Sequence, residues 1–128
     1  MTVALDARVL IGLLDPSDAH HESARRVFAA GVRFRVHPVN IAEALVTPER
    51  AGRSLEAYED LRRVGVTPAD LGPNGPLILA RLREKHRLRM PDACALAVAV
   101  SEDIPLVTFD KRLARAAEKC GLHEAIPS

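Results

Sequence analysis

Residues 3–14 restrict the fold of this chain more than any other stretch. Val3, Ala4 and Leu5 form a short run that is apolar at every position, which is typical of a strand covered on both faces. Asp6 ends the run, and the apolar residues after it recur with the spacing of a helix. Ligands bind at the carboxyl ends of the strands in an open parallel sheet, so Asp6 is predicted at a functional position.

The rest of the chain repeats this alternation of strand and helix patterns. Asn40 is predicted to cap a short helix that stops at the Thr47–Pro48 pair, because a residue before proline avoids helical geometry. Pro91 opens a helix so uniformly small and apolar that it is predicted to be the most buried one. Further helices are predicted at about 19–30, 53–64, 77–88 and 111–120, and strands at 34–39, 105–110, briefly within 66–75, and in a short edge segment at 123–126.

This order predicts an α/β fold: a single domain over residues 1–128, with three α/β/α layers around a mostly parallel sheet of four to five strands. The formal net charge is only +1, so any case for nucleic acid depends on local patches. The longest apolar run, 93–100, is far too short to span a membrane. Cys94 and Cys120 lack metal-type spacing and are interpreted as reduced packing residues, which favours a cytoplasmic protein.

Four acidic residues stand where a strand meets a helix or where the buried helix begins: Asp6, Glu43, Asp92 and Asp110. Each has a structural explanation by itself. Asp6 and Asp110 suit helix N-caps, Asn40 and Glu43 have capping-box spacing, and Asp92 suits the dipole of a first turn. Together they would repel one another at one sheet edge, and a hard divalent cation held by oxygen ligands would relieve that repulsion. Mg²⁺ or Mn²⁺, with hydrolysis of phosphodiester bonds, is the expected chemistry.

The segments LDARVLIGLLDPSDAHH, NIAEAL, MPDACALAVA and LVTFDKRLARAA, in this order, resemble the PIN domain and in particular the VapC-type ribonuclease toxins. The resemblance implies a Mg²⁺- or Mn²⁺-dependent endoribonuclease, the toxin of a type II toxin–antitoxin pair. It implies RNA as substrate, a homodimer and a cognate antitoxin as partners. It also implies that Asp6, Glu43, Asp92 and Asp110 are catalytic, that Asp6, Asp92 and Asp110 bind the metal, and that the Thr108 hydroxyl supports the site.

Basic residues surround these acids in the sequence. Arg8 stands where many members of the resembled family carry Asn or Ser, and Arg112 stands where many carry a further acid. The missing acid at Arg112 argues against a second metal more than against the first. Arg8 is expected to pair with Asp6, to compete with metal or to face the substrate. The run from Arg81 to Arg89 suits either a solvated helix face or a rim that contacts phosphates. The candidate RNA contacts are Arg8, Arg87, Arg89, Lys111 and Arg112.

Two other functions are weighed against the nuclease. A catalytically impaired PIN-like interaction module would explain Arg8, but a degenerate copy is expected to lose at least one of the four acids. A phosphoacceptor domain resembling response-regulator receivers would need paired acids at the first strand and a lysine that ends a later strand. The sequence has neither in the expected place.

Overall fold

The computed structural model describes residues 1–122, in which strands and helices alternate as the sequence predicts. The predicted edge segment at 123–126 lies outside the described residues. The strands are β1 (Thr2–Leu5), β2 (Arg33–Val36), β3 (Val66–Pro68) and β4 (Leu106–Val107). The helices are α1 (Ala7–Leu14), α2 (His21–Ala29), α3 (Pro38–Arg50), α4 (Ser54–Arg63), α5 (Gly75–His86), α6 (Met90–Glu102) and α7 (Lys111–Lys119).

The four strands form one parallel sheet in the order β3-β2-β1-β4. From β1 the chain moves outward to β2 and β3, and then returns to add β4 on the other side of β1. The order therefore reverses between β1 and β4. In open α/β sheets such a reversal opens a crevice at the carboxyl ends of the strands, which is where ligands bind.

Helices cover both faces of the sheet, because neighbouring residues of each strand point to opposite sides. Val3 and Leu5 belong to an apolar core with residues of α1 to α4, whereas Ala4 between them belongs to a second core with α6 and α7. Val107 and Leu106 divide between the two cores in the same way. This arrangement confirms the predicted three-layer fold, with a four-stranded sheet within residues 1–122.

Helix α6 is buried over seven consecutive residues, from Ala93 to Ala99, which confirms that it is the most buried helix of the part described. Five of these seven residues are alanine or valine, so the helix can approach the sheet closely on one side and neighbouring helices on the other. No helix within residues 1–122 is long and apolar enough to cross a membrane.

The prediction for α3 is wrong at both ends. His37, rather than Asn40, is the N-cap, since its ring Nδ1 accepts a hydrogen bond from the backbone N–H of Val39, 3.0 Å away. The helix also continues through Pro48 to Arg50. Proline removes only one helical hydrogen bond there, close to the end of the helix, so packing against neighbouring helices outweighs the local preference.

Candidate active site

Asp6 forms the centre of the site. It follows β1 directly and is the N-cap of α1, as predicted, with its Oδ1 accepting a hydrogen bond from the backbone N–H of Val9 at 3.1 Å. Its Oδ2 accepts a bond from the Thr108 hydroxyl at 2.5 Å. Only 3 % of Asp6 is exposed. Burial raises the pKa of Asp6, the two hydrogen bonds oppose that rise, and the charges of Asp92 and Asp110 add to it.

Thr108 follows β4 and forms a hydrogen bond across to the end of β1, the strand on the other side of the reversal in strand order. Its hydroxyl donates to Asp6 and accepts a hydrogen bond from the backbone N–H of Asp110 at 3.0 Å. Asp110 is the N-cap of α7, where its Oδ1 accepts from the backbone N–H of Arg112 at 2.8 Å and of Leu113 at 3.4 Å. The structure therefore places the supporting hydroxyl between two of the predicted acids.

Asp92 lies in the first turn of α6, near Asp6 and Asp110. Helix α6 packs on the face of the sheet opposite to α1. Burial raises its pKa, Arg89 at 3.7 Å lowers it, Asp110 raises it and Arg112 lowers it. The side chain of Asp92 is 19 % exposed, while that of Arg89 is 83 % exposed. Asp6, Asp92 and Asp110 thus share one electrostatic environment, although they are far apart in the sequence.

Glu43 occupies a different position from the other three acids. It is an exposed residue of α3 and lines a groove of about 500 Å³ between α1, α3 and α4. Burial raises the pKa of Cys94 to about 11, and the charge of Glu43 contributes to that rise. Glu43 therefore lies near Cys94 of α6, which follows Asp92 by two residues in the chain.

The predicted basic residues form an exposed rim beside these acids. Arg87 ends α5 in the left-handed conformation, with φ 55°, and its carbonyl accepts a hydrogen bond from the Arg112 guanidinium at 3.1 Å. A non-glycine residue in this conformation is strained. Within residues 1–122, Arg8 makes no ion pair with Asp6, so its exposed side chain does not neutralise that carboxylate. All five rim residues are exposed: Arg8, Arg87, Arg89, Lys111 and Arg112.

The donors at this edge suit a hard cation that keeps part of its water shell. In the described part of the chain, no three His, Cys, Asp or Glu side chains converge closely enough to enclose a metal by themselves. Mg²⁺ does not need such a cage, because it is usually bound through one or two carboxylates, waters and the phosphates of a substrate. Oxygens of Asp6, Asp92 and Asp110 fit that mode of binding, and mutual repulsion among them favours a bound cation.

One residue of the site was assigned the wrong role from the sequence. Asn40 is 1 % exposed, and its Nδ2 donates a hydrogen bond to the carbonyl of Pro91 at 3.0 Å. From its capping-box spacing to Glu43, Asn40 was predicted to cap the start of the helix instead. No local signal in the sequence indicated this role, because the partner of Asn40 is 51 residues away.

Comparisons with known proteins agree with this fold. The family model of the PIN domain matches residues 3–119. The fold is similar to a chain of VapBC2 from Rickettsia felis, solved with a promoter DNA fragment, at 13% identity and a TM-score of 0.66, covering 91% of this chain and 93% of that one.

Two further solved structures share the fold. VapC20 from Mycobacterium tuberculosis, described as a toxin that cleaves the sarcin-ricin loop, has 19% identity and a TM-score of 0.64, covering 98% of this chain and 99% of that one. PAE2754 from Pyrobaculum aerophilum has 23% identity and a TM-score of 0.58, covering 97% and 92%. Among curated protein sequences, none matches this chain.

Proposed function

The chain belongs to the PIN domain family, and we propose that it is a metal-dependent endoribonuclease of the VapC type, the toxin of a type II toxin–antitoxin pair. One observation carries the proposal. Asp6, Asp92 and Asp110 come from three separate segments near the reversal in strand order, where their charges interact and Thr108 links Asp6 to the backbone of Asp110. A fold that only binds a partner has no need to gather three mutually repelling carboxylates, one of them buried, at one edge of the sheet.

The proposed chemistry is hydrolysis of an RNA phosphodiester bond. Asp6, Asp92 and Asp110 would hold Mg²⁺ or Mn²⁺, which when bound lowers the pKa of a coordinated water and neutralises charge on the phosphate. Asp6 is kept in one orientation by two hydrogen bonds, so it presents a fixed carboxylate rather than a mobile one. Helices α1, α6 and α7 all begin at this edge, and their N-terminal dipoles favour the anionic phosphate.

The exposed rim is proposed to hold the RNA backbone. Changing Arg87 or Lys111 to Gln is expected to weaken binding of a single-stranded oligonucleotide. The dependence of log Kd on log salt is expected to flatten by about 0.7 per residue, since each phosphate contact releases counterions. Fluorescence anisotropy at several salt concentrations measures this slope. Arg50→Gln is the matched control, because Arg50 lies in the last turn of α3 and is not one of the five rim residues. An unchanged slope in Arg87→Gln and Lys111→Gln contradicts the rim.

Thr108 is proposed to orient Asp6. Thr108→Val keeps the shape of the side chain but removes the hydrogen bonds to Asp6 and to the backbone of Asp110. We expect the rate of RNA cleavage to fall by about 10- to 100-fold, the usual cost of losing a partner of a metal ligand. Thr108→Ser, which keeps the hydroxyl, should retain most of the rate. Equal rates in the Val and Ser variants would show that the hydroxyl has no such role.

A cognate antitoxin and a second copy of the chain are the proposed protein partners, acting in the cytoplasm. The antitoxin is supported by the similar fold of a chain of the VapBC2 structure. The groove between α1, α3 and α4 suits a segment that carries both apolar and basic side chains. Its acidic lining residues, Asp15, Glu43, Glu56 and Asp60, outnumber its one basic residue, Arg53, and its floor includes Ile11, Leu14 and Ala44.

Cleavage of RNA by the purified wild-type chain tests the function. Total bacterial RNA is incubated with the protein in Mg²⁺, in Mn²⁺ and in EDTA, and the fragments are mapped by sequencing. Discrete cleavage that requires a divalent metal supports the nuclease. A folded protein that cleaves nothing with either metal would instead support an interaction module that has lost activity.

A further inference from the structure

We propose that Asn40 is a positioning residue that fixes the start of α6, and with it Asp92, relative to Glu43 on α3. The proposal rests on the proposed nuclease function, since Asp92 is a proposed metal ligand and Glu43 is the fourth acid predicted from the sequence. Asn40 itself does not meet the substrate in this proposal, because only 1 % of it is exposed. It acts through the residue that precedes Asp92.

Helices α3 and α6 pack against each other, and one hydrogen bond joins their first turns. The Nδ2 of Asn40 on α3 donates to the carbonyl of Pro91 on α6 at 3.0 Å. The hydrogen bond from Asn40 is the directional contact in this pair, and it determines how far α6 can slide or rotate.

Packing alone does not explain an asparagine at this position. The Oδ1 of Asn40 is buried and accepts no hydrogen bond from any group in residues 1–122. A buried acceptor without a donor lowers stability, and an apolar side chain of similar size would avoid that cost. The amide is therefore explained by its Nδ2, which holds the carbonyl of Pro91.

The consequence concerns two acids on different helices. Asp92 is next to the anchored carbonyl, and Glu43 is one turn along α3 from the anchoring amide. Without this bond, their separation would depend on apolar contacts, which are not directional. Small errors in the placement of catalytic groups have large effects on rate.

Asn40→Leu tests the proposal, because it removes both the donor and the unpaired acceptor while it keeps the branched shape and the number of side-chain heavy atoms. Hydrogen exchange is measured by mass spectrometry for peptides that cover residues 88–96 and for the rest of the chain. Mn²⁺ affinity is measured by electron paramagnetic resonance, and kcat and KM are measured on a cleavable RNA. Asn40→Ser is a second variant, and Leu61→Ala, in the core on α4, is the control for general loss of stability.

We expect both Asn40 variants to exchange faster within residues 88–96 than elsewhere, to bind Mn²⁺ about 10- to 100-fold more weakly, and to lose kcat with little change in KM. Leu61→Ala should exchange faster over the whole chain, with unchanged Mn²⁺ affinity. The proposal is overturned if residues 88–96 of both Asn40 variants exchange at the wild-type rate, or if exchange increases uniformly over the chain as in Leu61→Ala. If wild-type protein neither binds Mn²⁺ nor cleaves RNA, the nuclease function fails, while the exchange data still decide the role of Asn40.

Discussion

Replacing Asp92 with Asn is expected to reduce metal-dependent RNA cleavage by about a hundredfold or more, while the fold is retained. Loss of a group that only supports a metal ligand costs 10- to 100-fold, and loss of a proposed ligand should cost at least as much. Asn has the shape of Asp but no charge, and repulsion from Asp110 disappears with the substitution. Circular dichroism checks the fold, and cleavage of a defined oligonucleotide measures the rate.

Asp103→Asn is the matched control, because it makes the same chemical change at the opposite end of the same helix. Asp103 follows α6 in the left-handed conformation, with φ 52°, which Asn also adopts readily. Its cleavage rate should equal that of wild type. A folded Asp92→Asn variant that cleaves as fast as Asp103→Asn would remove Asp92 from the proposed site.

Replacing Asp6 with Asn is expected to abolish cleavage and, in metal-free buffer at neutral pH, to raise the melting temperature by a few degrees. The wild-type carboxylate is buried and close to Asp92 and Asp110, so ionisation of Asp6 destabilises the folded chain. Asn still accepts the hydrogen bond from the N–H of Val9 and carries no charge. Mg²⁺ should raise the melting temperature of wild type but not of the variant, because only wild type keeps the proposed ligand.

The stability difference should depend on pH in a defined direction. The pKa of Asp6 is raised in the folded chain, so the folded state holds this proton more tightly than the unfolded state, whose pKa is near 3.8. Wild type therefore loses stability as the pH rises from about 3.8 through the folded-state pKa of Asp6. The increase in stability of Asp6→Asn over wild type should be small below this pH range and should reach its full value above it. Thermal melts in EDTA across this range measure the difference.

Asp15→Asn provides the contrasting control. Hydrogen bonds from Ser17 lower the pKa of Asp15, so its charged form is favoured in the folded chain. Its substitution should leave the melting temperature unchanged or slightly lower at neutral pH. A lower melting temperature for Asp6→Asn than for wild type in EDTA would show that the hydrogen bonds to Asp6 outweigh its burial and the repulsion.

Where local chemistry decides the structure, the sequence was sufficient. Asp6 and Asp110 were predicted as N-caps after apolar runs, and both cap helices with side-chain hydrogen bonds. The burial of α6 also followed from the sequence, because a helix of small apolar residues on every side has no polar face for solvent. The prediction failed for α3, where Asn40 was placed at the start of the helix and Pro48 at its end.

The sequence by itself determined the order of strands and helices, the parallel sheet and the positions of the acids along the chain, because these depend on periodicity and capping between near neighbours. Only the tertiary structure decided that Thr108 bonds to Asp6, 102 residues away, and that Asn40 bonds to Pro91, 51 residues away. It also decided that Glu43 lies on an exposed face beside a groove. Such contacts depend on how helices slide and rotate against one another, and side-chain packing between distant segments determines that.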